Sequence, residues 1–431
     1  MTPPVNAPNK PHWKKQLQVA WVNGVHIQTE VSIKTSFTWT PRSLNCTVKD
    51  KRDKGAEQTM RHKRTIQVDT SNCYFTTNSD TFEQKYRHIG TQLWGQGPSL
   101  IKDLKEDVDI AKHTVAAVTN ITLGLNIWDD NENLVTMDLE LDDPESVERT
   151  KEDLENRVFF YLYTRENPKD FEQLKVDDID MLKRSKFDAS KPTKFITHGW
   201  INSYMSKACV AIRDAFLQHG DYNVIVVDWS RISSKPYLWA TRRVVMIGQL
   251  VARMIDFLVS QGLEPSKVTA VGHSLGAHVA GLSGYYSENK IEYIVGLDPA
   301  LPLFLFSGAG ARITSDDARY VEIIHTNGGE LGFVAAIGDS DFYPNGGSIQ
   351  TGCPLGVVGA CSHLHAVEYF AESINSKTGF WAVSCTNFKD FVLGKCNSQP
   401  KALMGGVEPK FDVMGIYYLR THKTGPFAMG L

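Results

Sequence analysis

From about Arg157 to the C-terminus, short apolar runs alternate with stretches whose apolar residues recur at helical spacing. Val158–Tyr163, Lys194–Thr197, Asn223–Asp228, Val268–Val271, Ile291–Leu297 and Ala318–His325 are short and mostly Val/Ile-rich, so they predict buried strands. Met205–His219, Val244–Gln261, His278–Tyr286 and Ala366–Ile374 predict helices between them, and Val413–Thr421 is a last apolar run. Strands that are apolar on both faces and alternate with helices predict an α/β domain on a largely parallel sheet, spanning 151–431.

Residues 1–150 lack that alternation and read as an N-terminal extension, partly disordered or a pro-segment. Val19–Ile27 holds an Asn23-Gly24 pair between apolar residues, the signature of a tight hairpin. Lys49–Thr65 is a charged run, and Ser99–Trp128 fits one long amphipathic helix or two. Arg61-His62-Lys63-Arg64 reads either as a dibasic processing site or as a basic surface patch. Asn45-Cys46-Thr47 and Asn120-Ile121-Thr122 match the glycan acceptor pattern, which has meaning only for an exported chain.

Composition narrows the classes. At 431 residues the chain has ample length for a large core, and a net charge of −3 argues against nucleic acid as its partner. No apolar stretch approaches the length of a membrane-spanning helix, and Met1–Ala20 contains no apolar block of signal-peptide type. The seven cysteines point the other way. Cys353, Cys361, Cys385 and Cys396 cluster in irregular, glycine-rich sequence, which predicts Cys353–Cys361 and Cys385–Cys396 disulfides in an oxidising, extracellular setting. Zinc is the rival reading, but no C-x₂-C pair is present among them. Cys209 shares a helical face with Ile212 and Phe216 and is expected as a buried free thiol.

The sharpest chemical signal is Lys267–Gly284, an apolar run, a Gly-x-Ser-x-Gly turn and a small-residue helix. A strand turning sharply into a helix lifts the Ser274 hydroxyl onto the sheet edge, and Gly272 and Gly276 leave the turn room to form. A helix-capping serine would explain Ser274 but neither glycine. Such a hydroxyl needs a histidine base, and the histidine needs a carboxylate to hold it; along this kind of chain the order is Ser, acid, His. That order removes Asp228. Asp298 ends the run Ile291–Leu297 and is followed by Pro299, which places its carboxylate at the same edge. Asp316, Asp317, Asp339 and Asp341 lie in polar turns and read as surface residues. Among His325, His363, His365 and His422, His363 is favoured because Cys361 would anchor it, in a loop opening the helix Leu364–Ile374. The oxyanion donors are expected to be Leu275 N–H, just after the serine, and Trp200 N–H in Thr197-His198-Gly199-Trp200.

Phe195–Trp200, Val227-Asp228-Trp229, Val271–His278, Gly296–Ala300, Asp341–Gly347, Cys353 and Cys361–His363 resemble, in order, the pancreatic-lipase family, especially its insect neutral lipases and phospholipases A1. The resemblance covers about 157–431 and implies an α/β-hydrolase fold, a Ser274–Asp298–His363 triad and an oxyanion hole at Trp200 and Leu275. It implies a secreted carboxylester hydrolase acting on phospholipid or glyceride at a lipid–water interface, with peripheral membrane contact. Between Cys353 and Cys361 stand only Pro354–Ala360, where the family's triglyceride lipases carry a much longer lid; this resembles the phospholipase A1 members, which release the sn-1 acyl chain. A triacylglycerol or galactolipid lipase with the same triad is the alternative, and a non-catalytic carrier like the family's yolk proteins is a third reading. The family's calcium-binding turn is kept only in part, with Asp317 matching but Thr314 where a second Asp is expected, so no cofactor or metal is expected. The tail after His363 is too short for the family's β-sandwich domain, so no colipase is expected.

Overall fold

The computed structural model describes residues 125–430 except 355–356, together with four short strands nearer the N-terminus. Chain contacts divide it into two units, 1–104 and 105–431. In the first, Lys15–Val22 pairs antiparallel with Val25–Ser32, with Val22 opposite Val25, and the Asn23-Gly24 pair itself lies outside the described residues. Thr47–Asp50 pairs with Ile66–Asp69. The basic run 61–64, both glycan acceptors, Cys46, Cys73 and most of 99–128 lie outside the described residues. Leu125–Trp128 is a strand rather than the end of a helix, pairing with Leu134–Met137.

The second unit is built on an eleven-stranded sheet. Its strands are β1 (Phe159–Tyr163), β2 (Glu172–Leu174), β3 (Thr193–Thr197), β4 (Asn223–Asp228), β5 (Val268–His273), β6 (Tyr293–Leu297), β7 (Tyr320–Ile324), β8 (Ser340–Pro344), β9 (Phe380–Ser384), β10 (Lys401–Met404) and β11 (Gly415–Leu419). They lie in the order β10-β9-β11-β8-β7-β6-β5-β3-β4-β1-β2. The run from β4 to β11 is parallel throughout, and β1, β2, β9 and β10 join antiparallel at the edges. This is the expected α/β-hydrolase architecture.

Four helices cover the sheet: α1 (Lys207–His219), α2 (Val244–Ser260), α3 (Leu275–Tyr286) and α4 (Val358–Asn375). Alternation along the strands assigns the faces. Ile225 and Val227 of β4 pack with Ile247, Leu250 and Leu258 of α2 and with Leu275 and Val279 of α3. Val224 and Val226 pack with Ile212 and Phe216 of α1 and with Val367 and Phe370 of α4. Covering on both sides is why every residue of the central strands from β3 to β7 is buried.

Residues 125–150, grouped with the extension on sequence, pack on this body: Ile127 and Met137 join its core, and Arg243 donates to the Glu145 carbonyl at 2.7 Å and to Thr150 Oγ1 at 2.8 Å. Strands β2, β8, β9 and β10 were not distinguished in the sequence, being short or carrying polar residues and proline.

Candidate active site

Parallel register brings the candidate residues to one edge. His273 of β5 stands opposite Leu297 of β6, and Gly272 opposite Thr197 of β3. The next residues along adjacent strands, Ser274 and Asp298, therefore emerge side by side, with His198-Gly199 on the other flank. The Ser274 N–H donates to the Leu297 carbonyl at 3.0 Å, and Ala300 N–H donates to the Ser274 carbonyl at 3.2 Å.

Ser274 has φ 59° and ψ −124°, a conformation rarely adopted by L-residues, in the turn between β5 and α3. The flanking glycines make the turn possible. A Cβ on Gly272 would lie 2.1 Å from the Gly276 carbonyl oxygen, and one on Gly276 would lie 2.4 Å from the His198 carbonyl oxygen. Both obstacles are backbone, so neither position admits a side chain.

Asp298 is fully buried one residue past β6. Its Oδ1 accepts from Thr326 N–H at 2.8 Å and Asn327 N–H at 3.0 Å. Its Oδ2 accepts from His363 Nδ1–H at 2.6 Å. A carboxylate held by charge-assisted bonds on both oxygens stays in place and fixes the imidazole tautomer. His363 Nε2 thus presents a lone pair, and it is buried without a hydrogen-bond partner among the described residues. His363 is a correction to the sequence expectation: it lies inside α4, not in a loop before it. Gly359 and the disulfide cysteine suggested irregular chain, yet Val358–Ser362 form the first turns of the helix.

Both predicted disulfides are present, Cys353–Cys361 and Cys385–Cys396, and Cys209 is a buried free thiol. Cys361 ties the start of α4 to the segment after β8. His365 turns away from Asp298 and lies 3.7 and 3.8 Å from the two bonded sulfurs. The remaining candidates also find structural partners. His325 contacts Asp341 Oδ1 at 2.9 Å and Phe333 O at 2.7 Å, and Asp228 accepts from Ser230 N–H at 3.1 Å. Asp317 and Asp341, read from sequence as surface residues, are buried.

The loop after β3 lies against the serine: a Cβ on Gly199 would sit 3.0 Å from Ser274 Cβ. His198, missed as a participant on sequence, sets this loop. Its Nε2 accepts from Trp229 N–H at 3.1 Å, so Nδ1 carries the proton and donates to the Gly199 carbonyl at 2.9 Å. In a trans peptide the C=O and N–H point opposite ways, so holding the Gly199 carbonyl orients the Trp200 N–H. The Trp200 indole is anchored separately, donating to the Lys235 carbonyl at 2.7 Å. Leu275, fully buried, opens α3, where backbone N–H groups and the helix dipole favour negative charge.

The partial calcium turn is closed by the chain itself. Asp317 accepts from Thr314 N–H at 2.8 Å and from Thr314 Oγ1 at 2.9 Å. Burial pushes its carboxyl up to about 7 against these bonds. The guanidinium of Arg312 donates to Ser307 O at 2.7 Å and Ile313 O at 2.5 Å, which places a positive charge beside this turn. As folded, the turn offers one buried carboxylate already bonded to Thr314 and set beside a guanidinium, a poor match to the several free oxygen ligands that calcium takes.

Residues 130–427 match the family model described as Lipase. The pancreatic triacylglycerol lipase of Myocastor coypus is 35% identical over 260 residues, 55% of this chain and 57% of that protein. The human pancreatic triacylglycerol lipase is 32% identical over 300 residues, 62% of this chain and 64% of its own. The inactive pancreatic lipase-related protein 1 of Mus musculus is 35% identical over 260 residues, 55% of each chain. The matches span less than two thirds of each relative, and a relative named inactive is as similar as those named lipases. What they establish is kinship: this chain belongs to the lipase family that includes the pancreatic lipases.

Proposed function

We propose that the chain is a serine carboxylester hydrolase acting on lipids, with Ser274 as nucleophile, His363 as base and Asp298 as the acid that holds it. The observation that carries this is the 2.6 Å Asp298–His363 bond, placed one strand from a strained serine by matched register. His363 Nε2 takes the Ser274 proton as Oγ attacks the ester carbonyl carbon. Trp200 and Leu275 N–H groups receive the oxyanion. His363 then passes the proton to the departing alkoxyl oxygen, leaving an acyl-serine. Water, deprotonated by the same nitrogen, releases the fatty acid and restores Ser274.

The substrate reading is sn-1 hydrolysis of phospholipid. It is supported by the seven-residue span Pro354–Ala360 closed by Cys353–Cys361, too short to roof a wide apolar cleft. Leu303, Leu305 and Phe306, the last 80% exposed, follow Asp298 on the same edge and suit contact with a lipid surface. The disulfides support an extracellular site of action. A second reading, triacylglycerol hydrolysis, is favoured by the names of the relatives in coypu and human. Rates on phosphatidylcholine and triolein vesicles or emulsions, compared with Ser274→Ala, decide between them. Preference for phosphatidylcholine is the expected result; equal or greater rates on triolein would overturn the phospholipase reading, and undiminished Ser274→Ala activity the mechanism.

A further inference from the structure

Six residues past β8, at the start of the segment running to Cys353, the Gln350 side chain is buried with every hydrogen-bonding capacity of its amide used. Nε2 donates to Thr326 O and to Pro344 O, each at 3.0 Å. Oε1 accepts from Asn345 Nδ2 at 2.9 Å and from Tyr369 O–H at 3.1 Å. Two carbonyls facing one end fix which end is nitrogen, because carbonyls accept only. The Gln350 backbone N–H donates to Ser362 Oγ at 3.0 Å, on the residue before His363.

Three of these partners touch the triad's supports. The Thr326 carbonyl belongs to the same peptide plane as the Asn327 N–H, and in a trans peptide the two point in opposite directions. Nε2 pulling on that carbonyl therefore aims the Asn327 N–H at Asp298 Oδ1, 3.0 Å away. Tyr369 and Ser362 both sit on α4, which carries His363. A single amide thus grips the cradle of the acid and the helix of the base.

We propose that Gln350 is a positioning residue that sets the Asp298–His363 distance from both sides. The inference rests on the triad reading above. It does not touch substrate, so its effect belongs in the turnover step and not in binding.

The test uses the full chain with Gln350→Met, which removes all four side-chain bonds at similar volume, and Gln350→Glu, which keeps the acceptors and removes the donors. Hydrolysis of a lipid ester is measured with the downfield ¹H resonance of the His363 Nδ1 proton. Expected are a roughly 10- to 100-fold loss in kcat, KM within about twofold, and an upfield shift or loss of that resonance in a protein still folded by circular dichroism. If both variants fail to fold, Tyr369→Phe removes the hydroxyl's bond to Gln350 together with its contact to Thr421 Oγ1, and is expected to lower kcat a few-fold with KM unchanged. A folded variant with wild-type kcat and an unmoved resonance overturns the proposal, even if its melting temperature falls. Ser274→Ala separates the two readings: if it is inactive while Gln350→Met is normal, only the role of Gln350 fails, and if it is active, the triad itself does.

Discussion

His273, the residue before Ser274, donates from Nε2 to the backbone carbonyl of His363 at 3.0 Å, with the two rings 4.4 Å apart. The strand that leads into Ser274 is thereby bonded directly to the backbone of His363. Burial, with the neighbouring His363 adding to it, holds the His273 ring well below the ordinary histidine range. His273 therefore stays neutral and acts as a hydrogen-bond donor to the His363 backbone.

His273→Phe keeps a ring of similar size and removes the donor. It is expected to lower kcat roughly tenfold or more with little change in KM, and His273→Gln, whose amide can reach the same carbonyl, to recover part of the loss. Steady-state kinetics on one soluble ester checks both. Equal rates in all three proteins would show that the strut has no catalytic consequence.

The serine turn tolerates no side chain at Gly276. Gly276→Ala would push Cβ to 2.4 Å from His198 O and 2.6 Å from Thr197 O, forcing the segment after β3 away. It is expected to cost more than about 4 kcal/mol or prevent folding. Gly308→Ala, where a Cβ meets no atom within 4 Å, is the control and is expected within about 0.5 kcal/mol of wild type. Denaturant titration of each measures the difference.

Acid stability follows from His278. It is fully buried, donates from Nε2 to the Ala300 carbonyl at 2.8 Å, and is pushed down to about 3 by burial, with Arg312 acting in the same direction. Between about pH 6.5 and 3 the unfolded chain holds a proton there that the folded chain does not. Stability is therefore complete above about pH 6.5 and falls as pH drops, by up to about 1.4 kcal/mol per unit from this group. Denaturant midpoints measured across that range are expected to fall less steeply in His278→Gln than in wild type. Parallel curves would contradict the assignment. Asp317, raised to about 7, acts with the opposite sign in the overlapping window, which is why the comparison is made by difference.

Removing divalent ions with a chelator is expected to leave both the melting temperature and the ester hydrolysis rate unchanged. Thr314→Val, which strips one bond from the buried Asp317, is expected to destabilise the fold by about 1–3 kcal/mol. A large drop in melting temperature on chelation would mean that a cation, not the Thr314–Asp317 closure and Arg312, completes this turn.

Much of this was readable in the sequence where local chemistry is specific. Gly272 and Gly276 announce the strained turn, and Pro299 marks the strand end that delivers Asp298. Parallel order then forces Ser274 and Asp298 to one edge. Elsewhere the deciding partners are distant in the chain. Nothing local distinguishes the Thr326 and Asn327 N–H groups that hold Asp298, or the His198 ring that orients Trp200. Val358–Ser362 looked irregular because helix formation there depends on packing and on Cys361. Asp317 and Asp341 looked exposed because their partners, Thr314 and His325, become visible only once the loops are folded.

The central claim is most directly tested by reacting the purified chain with a long-chain alkyl organophosphonate and locating the adduct by mass spectrometry, while following lipid ester hydrolysis. One adduct on Ser274, formed in step with loss of activity and absent from Ser274→Ala and much slowed in His363→Ala, is the predicted result. Hydrolysis that persists after Ser274 is fully modified, or an adduct elsewhere that accounts for the inhibition, would contradict it.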